Sequence, residues 1–154
     1  MNVTTESMIT DTRATVSAPS RRSVLRAGAL SGVAAAVATE LVAAGARVSD
    51  VSMEAGGFGA ETAEPIPVLG FAFATLLWTA VGIVMAVAMT RWAKRPARTF
   101  TLTTVVLTIV SLVPPALAGA TTTGTRVILA LTHVVAAAIV IPAIRNVLAK
   151  WETP

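Results

Sequence analysis

Two ionisable residues fall inside long apolar stretches of the sequence, and they are the first candidates for chemistry. Glu40 lies in an Ala-rich run, and His133 lies in a run rich in Val and Ala. Ionisable side chains are costly inside a membrane and by default mark a functional site. Because a carboxylate and an imidazole together can bind or pass on a proton, we predict that Glu40 and His133 are partners in a polar intramembrane site.

Three further residues complete this predicted polar site. At 1.5 Å per helical residue, Glu40, His133 and Pro114 lie about 9 Å below the predicted outer helix ends. Thr75 has a similar depth, and Ser111 lies one turn deeper.

One interpretation of this polar site is that it binds or relays protons or a small cation. The other is that a protonated Glu40 bonds to His133, or to a carbonyl freed by the proline, and only holds the helices together at about 0.6 kcal/mol per bond.

A catalytic triad of Ser111, His133 and Glu40 has suitable residue types. The sequence around Ser111 contains no nucleophile elbow and no evident oxyanion hole, which such a triad requires. We therefore predict no catalytic residues and expect the protein not to be an enzyme.

The composition indicates a membrane protein. Of 154 residues, 55% are hydrophobic and 13% are charged, against roughly 45–50% and about 25% in soluble domains. The chain has no cysteine and one histidine, so thiolate and multi-histidine sites are excluded, and we predict neither a metal nor a cofactor. The net charge of +4 comes from residues that flank apolar runs, so we expect no nucleic-acid partner.

The chain order predicts an all-α fold, a four-transmembrane-helix bundle made of two antiparallel helical hairpins. We expect a disordered cytoplasmic tail at 1–22 and a transmembrane domain at 23–150, with helices at about 24–46, 68–90, 100–120 and 127–144. Each helix is long enough to cross a hydrocarbon core of about 30 Å. Pro114 and Pro115 should kink the third helix, and the fourth should end around Pro142.

The first predicted helix carries small residues at every fourth position. Gly28, Gly32 and Ala36 precede Glu40 at this spacing, so all four lie on one helix face. Small residues at this spacing let helix backbones approach closely. We predict that Gly28, Gly32 and Ala36 form a helix-packing face.

The basic residues predict the orientation in the membrane. Ten of the twelve Lys and Arg residues lie in the two terminal regions or in the stretch 91–98. That stretch contributes four predicted topology anchors, namely Arg91, Lys94, Arg95 and Arg98. Since basic residues favour the cytoplasmic side, we expect a multi-pass plasma-membrane protein with both termini and this stretch in the cytoplasm, facing the anionic lipids of that leaflet.

The segment from Ser20 to Arg26 resembles a twin-arginine export signal. Arg21 and Arg22 precede an apolar run, although Val24 stands where that signal favours Phe. The apolar run continues to Ala46, beyond the roughly 7–15 residues of a cleaved signal, so we favour a retained first helix. Cleavage near Ala46 stays open as the alternative.

Several sequence segments together resemble a family of small four-helix integral membrane proteins of unknown function from high-GC Gram-positive bacteria. They are GVAAAVATELV in the first helix, VSMEAGG after it, RPAR in the basic stretch, SLVPP in the third helix and LALTHVVAAAIVIPAI in the fourth. The resemblance covers about residues 22–148. It implies the architecture and the membrane location, and it supplies neither a substrate nor catalytic residues.

Two functions from different classes remain open. The first is a structural or interaction subunit that packs against itself or a partner membrane protein through the face of Gly28, Gly32 and Ala36. The second is a proton-coupled channel or transporter for an ion or small solute, which must be an oligomer to enclose a pathway. The two differ in whether Glu40 and His133 carry protons.

Overall fold

The computed structural model describes residues 20–152, and within them the chain is almost entirely helical. The helices are α1 (Arg21–Val48), α2 (Gly70–Trp92), α3 (Pro96–Ser111), α4 (Val113–Leu117) and α5 (Thr123–Ala149), and two short strands, β1 (Glu54–Ala55) and β2 (Glu64–Pro65), pair antiparallel. Four segments of this described part are long and apolar enough to cross a membrane: α1, α2, α3 together with α4, and α5. The predicted tail lies, up to residue 19, outside the described residues.

The prolines affect the helices in three different ways. Pro96 is the first residue of α3, where its missing N–H costs nothing. The third span breaks between Ser111 and Val113, at the start of the segment that contains Pro114 and Pro115. Pro142, by contrast, lies inside α5, so the predicted helix end near this residue is wrong.

Packing explains why α5 continues past Pro142. Ile144 and Leu148, in the turns that follow, are fully buried. Burial of two such side chains contributes about 3 kcal/mol or more, which offsets the roughly 3 kcal/mol that an interior proline costs a helix. The sequence pattern alone does not indicate that burial.

Helix α1 occupies the centre of the bundle. It packs extensively against both α2 and α5, while α3 packs mainly against α5. Its buried residues are nearly all small: Val24, Gly28, Ser31, Gly32, Ala35, Ala36, Thr39, Ala43 and Ala46. The outward faces of the bundle carry large exposed apolar side chains such as Leu30, Trp78 and Leu102, an amount of apolar surface typical of contact with lipid rather than water.

A long loop, residues 49–69, joins α1 to α2 and packs on the turn between α4 and α5. Gly119 N–H donates to the Gly57 carbonyl at 3.0 Å, and Gly56 N–H donates to Thr121 Oγ1 at 3.0 Å. A Cβ on Gly56 would lie 2.4 Å from the Gly119 carbonyl oxygen, so only glycine fits there. The long loop therefore connects the α1–α2 pair to the α4–α5 turn.

Candidate functional site

Glu40 on α1 caps the N-terminus of α2. Its Oε1 accepts a hydrogen bond from Leu69 N–H at 3.1 Å, and its Oε2 accepts one from Ala72 N–H at 3.2 Å. Leu69 is the N-cap residue of α2, has a left-handed backbone (φ 67°) and offers no side-chain acceptor of its own. Because the first N–H groups of a helix lack internal partners and carry partial positive charge, a carboxylate from another helix stabilises this helix start.

Arg47 completes the arrangement around Glu40. Its Nη1 donates to Glu40 Oε1 at 3.2 Å, and its Nη2 donates to the Ile66 and Pro67 carbonyls at 3.4 and 3.3 Å. The Glu40 and Arg47 side chains are 16% and 25% exposed. The pair is thus partly shielded from solvent, and it ties the end of α1 to the last residues of the long loop.

The sequence contained two signals for this arrangement that sequence reasoning missed. Glu40 and Arg47 are seven residues apart, which places them on one helix face two turns apart. The chain ahead of α2 reads Pro67, Val68, Leu69, with none of the Ser, Thr, Asp or Asn residues that usually cap a helix. The first N–H groups of a helix without a local cap take an acceptor from elsewhere, either water or another part of the chain.

Thr75, a predicted site residue, lies on the same α1–α2 contact as Glu40. Its Oγ1 is 3.1 Å from Thr39 Oγ1, and the fully buried Thr39 also donates to the Ala36 carbonyl. The hydroxyl pair is therefore a direct polar link between the two helices.

The predicted helix-packing face is covered by α2 of the same chain. A Cβ on Gly28 would lie 2.3 Å from Ile83 Cγ1, and one on Gly32 would lie 2.8 Å from Thr79 Cγ2. Ala36 is also buried. This face is used inside the chain, and it leaves no room for a partner protein. We call the whole contact the α1–α2 seam: Gly28, Gly32, Thr39 and Glu40 facing Ile83, Thr79, Thr75 and Ala72.

His133 has a different partner from the one predicted. Its Nδ1 lies 2.7 Å from the Leu129 carbonyl one turn earlier in α5. Ser111 Oγ likewise donates within its own helix, to the Thr108 carbonyl at 2.7 Å, and Pro114 is exposed. In the described residues no hydrogen bond joins Glu40 to His133, and of the predicted polar site only Glu40 and Thr75 share the α1–α2 seam.

A shallow groove of about 420 Å³ runs beside Glu40 between α1 and α2. Apolar side chains line it, among them Val33, Val37, Leu41 and Leu76. The Glu40 oxygens bond to the N–H groups at the start of α2 and do not face this groove. Across residues 20–152 no group of three His, Asp or Glu side chains could hold a metal ion.

At the opposite end of the fold, Glu152 caps α3. Its Oε1 accepts from Ala97 N–H at 2.8 Å and from Arg98 N–H at 3.3 Å. The residue before α3 is Arg95, which provides no side-chain cap. The four predicted topology anchors lie from the last turn of α2 to the start of α3: Arg91, Lys94, Arg95 and Arg98, all exposed.

Comparison with known protein families identifies a match over most of the chain. The model of a family of unknown function, DUF6069, matches residues 19–150, a range that includes all of the helices described above. No curated protein and no solved structure matches the chain.

Proposed function

The chain belongs to the DUF6069 family of unknown function. We propose that it is a multi-pass plasma-membrane protein acting as a structural or interaction subunit. Its host, as the sequence resemblance implies, is a high-GC Gram-positive bacterium. The four apolar spans support the membrane location.

The proposed topology has two antiparallel hairpins, α1 with α2 and α3–α4 with α5. The pairs along the α1–α2 seam support the first hairpin: Gly28 meets Ile83, Gly32 meets Thr79, and Glu40 meets Ala72. Residue numbers rise along one helix as they fall along the other. The surplus of basic residues at the termini and at 91–98 favours a cytoplasmic location for those parts.

The bonding of Glu40 is the single observation that most favours a structural role. Both of its oxygens accept hydrogen bonds, from two backbone N–H groups and from Arg47. A carboxylate held in this way stabilises a helix start, and proton transfer would require breaking those bonds. We infer that Glu40 stabilises the fold and does not transfer protons.

The position of α1 supports a retained first helix over a cleaved twin-arginine signal. Of the four spans α1 is the most buried: 39% of the residues in an apolar stretch of 18 residues are buried there, against 11–17% in the corresponding stretches of the others. Its removal would expose the seam face of α2 and the facing residues of α5. A signal peptide is discarded after export, so it should contribute little to the core of the mature protein.

The alternative function, a proton-coupled channel or transporter, requires Glu40 and His133 to line a common aqueous path. Each has its own partner, on different helices. Proton flux into proteoliposomes tests this alternative, with Glu40→Gln and His133→Ala as the matched variants. We expect no flux; a flux that both substitutions abolish would favour the transporter.

Cysteine labelling tests the proposed topology, because the chain has no native cysteine. Glu61→Cys places a thiol on the exposed long loop, and Lys94→Cys places one beside α3. With an impermeant maleimide on whole cells, we expect labelling of the first, and labelling of the second only after permeabilisation. The reverse pattern would refute the orientation.

Native mass spectrometry from gentle detergent tests the subunit role. We expect an oligomer, or a complex with another membrane protein after mild cross-linking in cells. A chain that is a monomer under both conditions would remove the basis for an interaction subunit while leaving the membrane topology intact.

A further inference from the structure

One end of the bundle carries a dense set of exposed positive charges. A core cluster joins the helix ends there, including Val24 of α1, Ala86 of α2, Phe100 of α3 and Leu148 of α5. Around that cluster lies what we call the basic ring, eight exposed side chains: Arg21, Arg22, Arg26, Arg91, Lys94, Arg95, Arg98 and Arg145. Four separate helix ends therefore contribute cations to one surface.

These charges are largely uncompensated within the described chain. The ion pair between Arg47 and Glu40 lies at the other end of α1, and none of the eight forms an ion pair with another residue of 20–152. Glu152 is the one described carboxylate near the basic ring, and it is bound to the backbone of α3. The other described acidic residues are Glu40 and those of the long loop. Such a surface attracts an anion from outside the chain.

Apolar side chains beside the cations define the kind of anion. Trp92, next to Arg91, is 79% exposed, and Leu102, one turn after Arg98, is 58% exposed. Leu25, beside Arg26, is exposed as well. A ligand that covers both kinds of side chain must carry a negative group next to an apolar one. A membrane phospholipid has this structure, whereas a nucleic acid presents a continuous charged backbone that leaves the leucines uncovered.

We propose that the basic ring binds the headgroups of anionic phospholipids, chiefly through Arg91, Lys94, Arg95 and Arg98. The inference rests on the proposed membrane location and deepens it by naming the residues that bind and the part of the lipid that they contact. Exposed Trp92 is suited to the interface between headgroups and acyl chains. Bound lipid would neutralise the repulsion among the eight cations.

Native mass spectrometry of the full chain with added lipid tests this proposal. The probes are phosphatidylglycerol, phosphatidylcholine and inorganic phosphate at matched concentrations. We expect retained adducts of phosphatidylglycerol, few of phosphatidylcholine and none of phosphate. Equal retention of the two lipids, or of phosphate and phosphatidylglycerol, would overturn the proposal.

Two variants identify the residues that bind. The neutral variant combines Arg91→Gln, Lys94→Gln, Arg95→Gln and Arg98→Gln, and the charge-conserving control combines Arg91→Lys, Arg95→Lys and Arg98→Lys. Because each basic residue near an anionic headgroup changes binding by about fivefold, we expect the neutral variant to lose phosphatidylglycerol adducts by about fivefold or more. The control should retain them. In detergent these comparisons do not depend on membrane orientation.

Two further measurements keep the proposal separable from protein folding and from the proposed function. If the neutral variant does not fold, the salt dependence of the unaltered chain decides: adducts should fall as ionic strength rises, and salt-independent adducts would contradict the proposal. Alkaline carbonate extraction tests the membrane location itself. A chain released into solution ends the proposed function, whereas a chain that stays in the membrane without lipid preference ends only this inference.

Discussion

At each end of the bundle, the start of one helix is capped by a carboxylate from a distant part of the chain. Helices α2 and α3 each begin without a capping side chain of their own, and each takes a carboxylate from elsewhere, Glu40 for α2 and Glu152 for α3. By contrast, α1 and α5 are capped locally, by Ser20 and Thr122. The two long helices whose N-cap residue has no side-chain acceptor, Leu69 for α2 and Arg95 for α3, are thus the ones whose start depends on tertiary contacts.

The surroundings of the two carboxylates differ. Glu40 is largely shielded and is paired with Arg47, whereas Glu152 is exposed and has the basic ring around it. A charge interaction is stronger where water and salt are excluded. We infer that the Glu40 cap is a stability element of the fold and that the Glu152 cap is a weak, salt-sensitive one.

Removing Glu40 should have the largest effect. Glu40→Ala leaves two backbone N–H groups and Nη1 of the partly buried Arg47 without their acceptor. Loss of one partner from such a pair costs about 3 kcal/mol, so we expect the free energy of unfolding in detergent to fall by about that amount. Denaturant titration followed by circular dichroism measures it.

Glu40→Gln is the matched control for this prediction. The amide oxygen can still accept one hydrogen bond from the start of α2, so the loss should be smaller, about 1–2 kcal/mol. Equal losses for Ala and Gln would mean that the charge carries the whole effect. No loss for either would contradict the structural role assigned to Glu40.

Two glycine substitutions test how closely α1 and α2 pack at the end of the seam near the basic ring. In Gly28→Ala the new Cβ would collide with Ile83, whereas in Gly82→Ala it would meet nothing within 4 Å. We expect Gly28→Ala to lower the free energy of unfolding by about 2 kcal/mol through overpacking. Gly82→Ala should leave it unchanged or raise it by up to about 1 kcal/mol. Equal effects in the two variants would mean that the seam is looser than the structure indicates.

The spans could be predicted from the sequence because apolar runs of membrane length have few alternatives. The interruption of the third span near Pro114 could also be predicted, because proline removes a backbone hydrogen bond of the helix. The continuation of α5 through Pro142 could not, because it depends on the burial of Ile144 and Leu148 against other helices. Local sequence contains no information about those contacts.

The polar site was predicted only in part, for a related reason. Sequence placed Glu40 and Thr75 at one depth, and both lie on the α1–α2 seam. The depth of a residue in the membrane does not determine which side of its helix it faces. His133 bonds to the Leu129 carbonyl of its own helix, α5, and this is not the partner that was predicted. The acceptor role of Glu40 depends on the tertiary contact that brings it to the start of α2, and its depth in the membrane does not indicate that contact.

The smallest expected effect is at Glu152, and its salt dependence distinguishes the two ends most sharply. Loss of an exposed cap in Glu152→Ala should cost about 0.5 kcal/mol at low salt, and hydrogen exchange at the amides of Ala97 and Arg98 should accelerate. High salt should erase the difference in stability between this variant and the unaltered chain, because it screens an exposed carboxylate among cations.

The loss of stability caused by Glu40→Ala should persist at high salt, since that carboxylate is shielded. A salt-independent effect at Glu152, or a salt-sensitive one at Glu40, would show that the two caps do not differ in the way their exposure indicates.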